Sequence, residues 1–274
     1  GNAEALKKEY EEMFEKYKDA NGRLKIEVSV HALYTSTPEI VRDFSEIAVK
    51  YGCNLHIHLS ETLQENIDCK AKYGCTPTEY FEKNGAFRVP TTAAHCVYLE
   101  DGDIEILKQY NVTVATCPTS NLKLASGVCD VQKLLDSGVN VAIGTDSVAS
   151  NNNLDMFGEM KLFALLPKGI QKDPTLVTPA QCLYAATRAG ALSQGRADCG
   201  AIVVGNRADL AVVDLDKPHL TPVHDVLNTL VYSAIGSDVA LTMADGKILY
   251  ENGEFYTIDV EKVKHYARKR IKKA

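Results

Sequence analysis

From Leu24 to Gly144 the chain repeats one pattern: a short apolar, β-branched run, then a stretch with helical spacing, at intervals of about 20 to 40 residues. The runs are Leu24–His31, Asn54–Leu59, Thr91–Cys96, Val112–Thr116 and Val139–Gly144. Helical stretches are expected at Pro38–Tyr51, at about 61–73 and 77–83, at Gly102–Gln109, at Val128–Asp136 and over Leu154–Leu165. Thr37 is placed to cap the first of these, with Pro38 at its first helical position. A strand that hands over to a helix each time needs a crossover to reach its neighbour, so the runs form parallel β/α units. The fold class is α/β. Ahead of it, Leu6, Tyr10, Met13 and Tyr17 mark a helix over residues 3–19 that Asn21-Gly22 ends. From about Ile202 the pattern changes. Ala208–Asp214 reads as a strand, and Leu241–Tyr250 as a hairpin turning at Ala244-Asp245-Gly246-Lys247. The expected division is a β/α domain over 1–200 and a small β-rich portion over 201–274.

Composition narrows the function classes. The 274 residues carry a net charge of −6, with 45% hydrophobic and 24% charged residues. No basic stripe marks a nucleic-acid binder. The run from Lys262 to Lys273 reads as a solvated helix face or tail. No apolar run approaches the ~18 residues of a membrane span. The 8 cysteines form no Cys-x-x-Cys pair, and they read as buried free thiols in a reducing cytoplasm.

In parallel β/α folds, active sites lie at the C-terminal strand ends. This chain places polar chemistry there repeatedly: His31, then Leu55-His56-Ile57-His58-Leu59-Ser60-Glu61-Thr62, then Ala94-His95-Cys96, then Gly144-Thr145-Asp146. Imidazoles and a carboxylate from successive strand ends make up the ligand vocabulary of a mononuclear hydrolytic metal site. Such donors suit zinc or iron. Strand alternation puts His56 and His58 on one face, so the residues alone leave open which of them binds. Glu61, three residues on, favours His58, because it is placed to move protons beside that metal. Each residue also has a plain structural reading: strand-face histidines, a core His95, a turn or capping Asp146. Their shared position at strand ends speaks against coincidence. Cys117-Pro118-Thr119-Ser120-Asn121 is either the mouth of the site or an ordinary βα loop. Glu159 and Met160 lie in the helical run Leu154–Leu165, whose apolar residues are read as core. His219 and His224 receive no catalytic role.

Together these motifs resemble the amidohydrolase superfamily, in particular its 5-methylthioadenosine/S-adenosylhomocysteine deaminase branch. The resemblance is carried by His31-Ala32-Leu33-Tyr34-Thr35, His56–Thr62, Ala94–Val97, Cys117–Gly127 and Gly144–Met156, in family order. It implies a distorted (β/α)8 TIM-type barrel with a composite β-sandwich and one divalent metal, zinc first and iron second. His58 and Asp146 are the implied metal ligands, and Asp146 also takes a proton from the metal-bound water. Glu61 is the implied proton shuttle to the purine ring nitrogen. His95 is implied to orient the water, and His31 to lie near the ribose of a purine nucleoside. The implied reaction is hydrolytic deamination of an adenosine-like nucleoside with release of ammonia. Guanine deaminase and chlorohydrolase activities are the alternatives within the superfamily.

Two departures matter. Leu33 stands where proline is usual. The family's first-strand His-x-His pair is absent. A full barrel takes about 250 residues, so the expectation is an incomplete barrel of about five C-terminal units, a fragment that lacks turnover on its own. Its uncovered edges predict a homo-oligomer.

Overall fold

A computed structural model describes residues 3–18, 20, 22 and 24–271. Asn21, Lys272 and Lys273, singled out above, lie outside the described residues. The helices are α1 (Ala3–Tyr17), α2 (Pro38–Tyr51), α3 (Leu63–Tyr73), α4 (Pro77–Lys83), α5 (Asp101–Gln109), α6 (Pro118–Lys123) and α7 (Val131–Ser137), followed by α8 (Val148–Asn151), α9 (Met156–Gln171), α10 (Pro179–Ala186), α11 (Arg188–Ser193), α12 (Val226–Tyr232) and α13 (Val260–Ile271). The first five strands are β1 (Val28–Val30), β2 (Leu55–Leu59), β3 (Thr91–His95), β4 (Thr113–Thr116) and β5 (Val141–Ile143). They form one sheet in sequence order, and every neighbouring pair is parallel. The α/β reading therefore holds, and the sheet is a partial barrel wall.

Burial explains the pattern. In β2, Leu55, Ile57 and Leu59 are fully buried against the helical layer, and His56 and His58 alternate onto the opposite face. Phe81, Leu107, Leu134 and Phe163 supply the helical side of the same core. The first crossover shows the local logic. Thr37 accepts a hydrogen bond from the Ile40 amide and Pro38 opens α2, while Gly52 ends it in the left-handed region at φ 61°.

Of the boundaries that differ from the sequence expectation, three have a clear physical cause. β1 covers Val28–Val30 rather than Leu24–His31, because it is an edge strand whose register with β2 begins at Val28 opposite Leu55. Residues before Val28 have no ladder partner there. α3 begins at Leu63, with Thr62 accepting from the Glu65 amide, which leaves Glu61 in the loop. α7 begins at Val131 rather than Val128, because Asp130 caps it by accepting from the Lys133 amide.

The remaining strands, β6 (Leu210–Val213), β7 (Val239–Ala244), β8 (Lys247–Glu251) and β9 (Glu254–Phe255), form a separate antiparallel sheet in sequence order. The β7–β8 hairpin turns at Asp245 and Gly246, both at positive φ (50° and 75°), as a tight type I′ turn demands. No described residue of α13 is buried, as expected of a solvated helix. Among the described residues, no helix is long and apolar enough to cross a membrane.

Candidate active site

The C-terminal ends of β1, β2, β3 and β5 converge. His31 follows β1, His58 lies in β2, His95 ends β3 and Asp146 lies three residues past β5. The three imidazoles form a row: ring centroids are 4.9 Å apart for His31 and His58, and 5.3 Å for His58 and His95, whose planes differ by 17°. Backbone strain marks the same rim. Ser60, His95, Cys96 and Asp146 all have φ between 49° and 71°. Such conformations are costly for residues with a Cβ and cluster where surrounding structure enforces them at functional sites.

Hydrogen bonds settle which atoms face the site. The His58 Nδ1 lies 2.6 Å from the His31 carbonyl oxygen. A carbonyl only accepts, so Nδ1 carries the proton and the Nε2 lone pair is free, the arrangement a metal-ligating histidine uses. His56 sits one layer deeper, with its ring 6.3 Å from that of His58. Burial, with His58 and His95 adding to it, holds its imidazole below its ordinary pKa. It lines an open cavity of about 1070 Å³ shared with Thr92, Ala115 and Ala142. That hollow lies over the inner face of the sheet, with α11 and the β7–β8 hairpin also lining it, and His31, His58, His95 and Asp146 do not line it. Of the two histidines of β2, His58 is the one that lies at the rim with His31 and His95.

His95 is buried, and its Nδ1 lies 2.8 Å from Asn121 Oδ1. With that oxygen accepting, the His95 Nε2 carries the lone pair. It lies 3.8 Å from Glu61 Oε2, beyond hydrogen-bond distance. Glu61 is fixed from two sides: its Oε1 accepts from Ser126 Oγ at 3.1 Å, and its backbone amide donates to Glu65 Oε2 at 2.8 Å. Asp146 accepts from Ser120 Oγ at 2.5 Å through one oxygen and from the Ser147 amide at 2.6 Å through the other. Burial works against ionisation of Asp146, but these two donors, with His95 and His58 nearby, prevail and hold its pKa below the usual carboxylate value. It is an anion at neutral pH.

All the strand-end residues that the sequence singled out therefore meet at one rim. Ser120 and Asn121, which the sequence left open between the mouth of the site and an ordinary loop, hold Asp146 and His95, and the residues it missed, Ser126, Ser147 and Glu65, hold Glu61 and Asp146. The only trace of these supports in the sequence is polar residues in otherwise apolar settings, such as Ser120-Asn121 directly after a buried strand.

Glu65 carries a separate consequence. It is buried, and one of its carboxylate oxygens has no partner among the described residues. Burial raises its pKa from 4.5 to about 7 against the opposing backbone hydrogen bonds. The folded protein thus holds the proton that the unfolded chain gives up. The associated stability is complete below pH 4.5 and is lost as pH rises through about 7, a drop of about 3 kcal/mol. Glu65→Gln still accepts from the Glu61 amide and removes that drop. Urea unfolding of both proteins at pH 4 and pH 8 checks it: the difference in unfolding free energy shifts by roughly this amount in favour of the variant at pH 8. A pH-independent difference would refute it.

The sequence model of the amidohydrolase family matches residues 1–249. The chain belongs to that family. This amidohydrolase is 47% identical over 255 residues to a 5-methylthioadenosine/S-adenosylhomocysteine deaminase of Acetivibrio thermocellus, covering 92% of this chain and 59% of that protein. It is 47% identical over 249 residues to a 5′-deoxyadenosine deaminase of Methanosarcina acetivorans, covering 91% and 57%. The crystal structure of an adenosine deaminase from Xanthomonas campestris with bound zinc superposes with a TM-score of 0.93 at 34% identity, over 97% of this chain and 61% of that one. The chain thus spans about three fifths of the length of these relatives.

The amidohydrolase's own donors fit a metal in kind, but they form an incomplete set. The described residues contain no group of three or more His, Cys, Asp or Glu side chains placed to hold an ion. His58 Nε2 and the ionised Asp146 are two donors of the right chemistry for zinc or iron. A catalytic zinc takes three protein ligands and a water.

Proposed function

We propose that this chain is the proton-transfer half of a metal-dependent hydrolase that deaminates an adenosine-like nucleoside, with zinc as its metal. The observation that carries the reading is the convergence of Glu61, His95 and Asp146, each fixed by its own hydrogen bond, beside a His58 whose Nε2 is free. His58 and Asp146 would hold the metal, together with donors supplied from outside this chain, and a metal there would make a water a nucleophile near neutral pH. Asp146, an anion in a polar setting, is placed to take a proton from the attacking water. Glu61 delivers a proton to the purine ring nitrogen as C6 is attacked. The buried His95, with its lone pair on Nε2, orients the attacking water, and His31 faces the ribose. The amino group takes the proton held by Asp146 and leaves as ammonia, the C6 hydroxyl proton returns to Glu61, and the product is of the inosine type. The names of the relatives support the substrate class.

A second reading has its own observation. With no three-donor group among the described residues, the isolated chain is a scaffold without turnover. Open strands at both ends of the parallel sheet, β1 and β5, support a homo-oligomer as its resting form.

One experiment separates the readings. Incubate 5′-methylthioadenosine and zinc with the chain alone and with a chimera that adds the remaining region of the Acetivibrio relative, and follow the purine absorbance. The chimera converts the nucleoside with release of ammonia, and the chain alone does not. A chimera that is folded and zinc-loaded but inactive on adenosine, 5′-methylthioadenosine and S-adenosylhomocysteine sinks the deaminase reading.

A further inference from the structure

The helix α9 carries a carboxylate that the proposed chemistry does not use. Glu159 is 2% exposed, in the first turn of a largely apolar helix, where a buried charge is costly unless it is fully bonded. It is fully bonded, and its partners come from two different βα loops, the one after β4 that includes the short helix α6 and the one after β5 that includes the short helix α8. Oε2 accepts from the Thr119 amide at 3.0 Å, in α6. Oε1 accepts from Asn151 Nδ2 at 2.7 Å, at the end of α8, and Asn151 Nδ2 also donates to the Thr145 carbonyl at 2.7 Å. Asn151 is itself buried.

These two loops carry the groups that orient the site. Next to Thr119, Ser120 donates to Asp146 and Asn121 faces His95, and both are buried. Next to Thr145 is Asp146. A shift of either loop would therefore break the Ser120–Asp146 bond or turn the His95 ring. The strain at Asp146 (φ 58°) and His95 (φ 71°) shows that these conformations are imposed from outside the residues themselves.

We propose that Glu159 is a positioning residue: its carboxylate clamps the loop after β4 to the loop after β5 and so holds Ser120 against Asp146 and Asn121 against His95. The assignment of a purpose to that clamp rests on the deaminase reading, but the clamp itself does not. Both partners of Glu159 are N–H donors, so only a group with two acceptor oxygens satisfies both. A glutamine of the same size turns its NH₂ toward one of them, and an alanine satisfies neither.

The test reads the loops directly in the 274-residue chain, with no need for turnover or metal. The readouts are amide hydrogen exchange at Thr119 and the tautomer of His95, followed by long-range ¹⁵N–¹H NMR. In the unaltered chain the Thr119 amide is protected and His95 is protonated on Nδ1. In Glu159→Ala, protection at Thr119 falls by about tenfold or more and His95 becomes a mixture of tautomers. In Glu159→Gln, which keeps the volume and decides the matter if the alanine variant unfolds, one of the two partners, Thr119 or Asn151, loses its protection and the other keeps it. Leu107→Ala is the control. It removes a fully buried core side chain in α5, lowering global stability without touching either loop. If the Glu159 variants leave Thr119, the Asn151 side-chain amide and His95 all unchanged, or if Leu107→Ala moves them equally, Glu159 is ordinary core and the proposal fails. Loss of the deaminase reading alone would show in the nucleoside assay and leave these signals as predicted.

Discussion

In the turnover-competent chimera, Glu61→Gln lowers kcat by a factor of about 10² to 10⁴, with KM little changed. The geometry explains why the effect falls on one step. The Glu61 backbone is held by Glu65 and its Oε1 by Ser126, with Oε2 3.8 Å from the His95 Nε2. Glutamine preserves the volume, the acceptor toward Ser126 and the loop conformation, so substrate binding survives. What glutamine lacks is a proton it can give and take back. Attack at C6 then places negative charge on a ring nitrogen with no acid to quench it, which costs about 3 to 5 kcal/mol of barrier. Steady-state kinetics on 5′-methylthioadenosine, followed by absorbance, measure this directly. Turnover within a factor of a few of the unaltered protein would take Glu61 out of the mechanism. A rise in KM at constant kcat would make it a binding residue instead.

How far the sequence reveals all this depends on the range of the interaction involved. Elements set by local chemistry are legible. Thr37, Pro38 and Gly52 announce the ends of α2, and Asp245-Gly246 announces the β7–β8 turn. Parallel strands buried on their helix-facing side show as apolar runs, and placing the strand ends at one rim follows from topology alone. That is why His31, His58, His95 and Asp146 could be singled out together. Where a boundary depends on a partner, the sequence misleads. β1 stops where β2 offers no ladder, whatever the propensity of Leu24 to Glu27. The supporting shell is invisible for the same reason. Ser120 reaches Asp146 across 26 residues, Ser126 reaches Glu61 across 65, and Glu159 reaches Thr119 across 40. No periodicity encodes such pairs. A glutamate inside an apolar helix reads as a helix-compatible core position until its two donors are seen. The helices α8, α10, α11 and α12 went unread because they are short or begin at caps whose value depends on the loops beside them, whereas α9 was legible over Leu154–Leu165.

After dialysis, the 274-residue chain retains well under one zinc per chain by elemental analysis, and the chimera retains about one. Two protein donors, His58 Nε2 and Asp146, cannot hold against buffer an ion whose catalytic sites ordinarily use three protein ligands. In the chimera, His58→Ala and Asp146→Ala each bring zinc back toward zero, because each removes a direct donor. Asn121→Ala acts differently, since it leaves both donors in place and frees only His95. It lowers turnover and leaves zinc content nearly intact, so the pair of measurements separates holding the metal from orienting the reaction. The ionised state of Asp146 is central to this difference. The hydrogen bonds from Ser120 and Ser147 already favour its anion, so a metal at the proposed site would meet Asp146 already deprotonated. One zinc per dialysed chain without the added region would mean that a third donor comes from within the rim, from His95 or His31, or from a second copy. Repeating the analysis on His95→Ala and at high dilution would distinguish those sources. A single chain holding zinc firmly without any of them would overturn the two-donor account of this site.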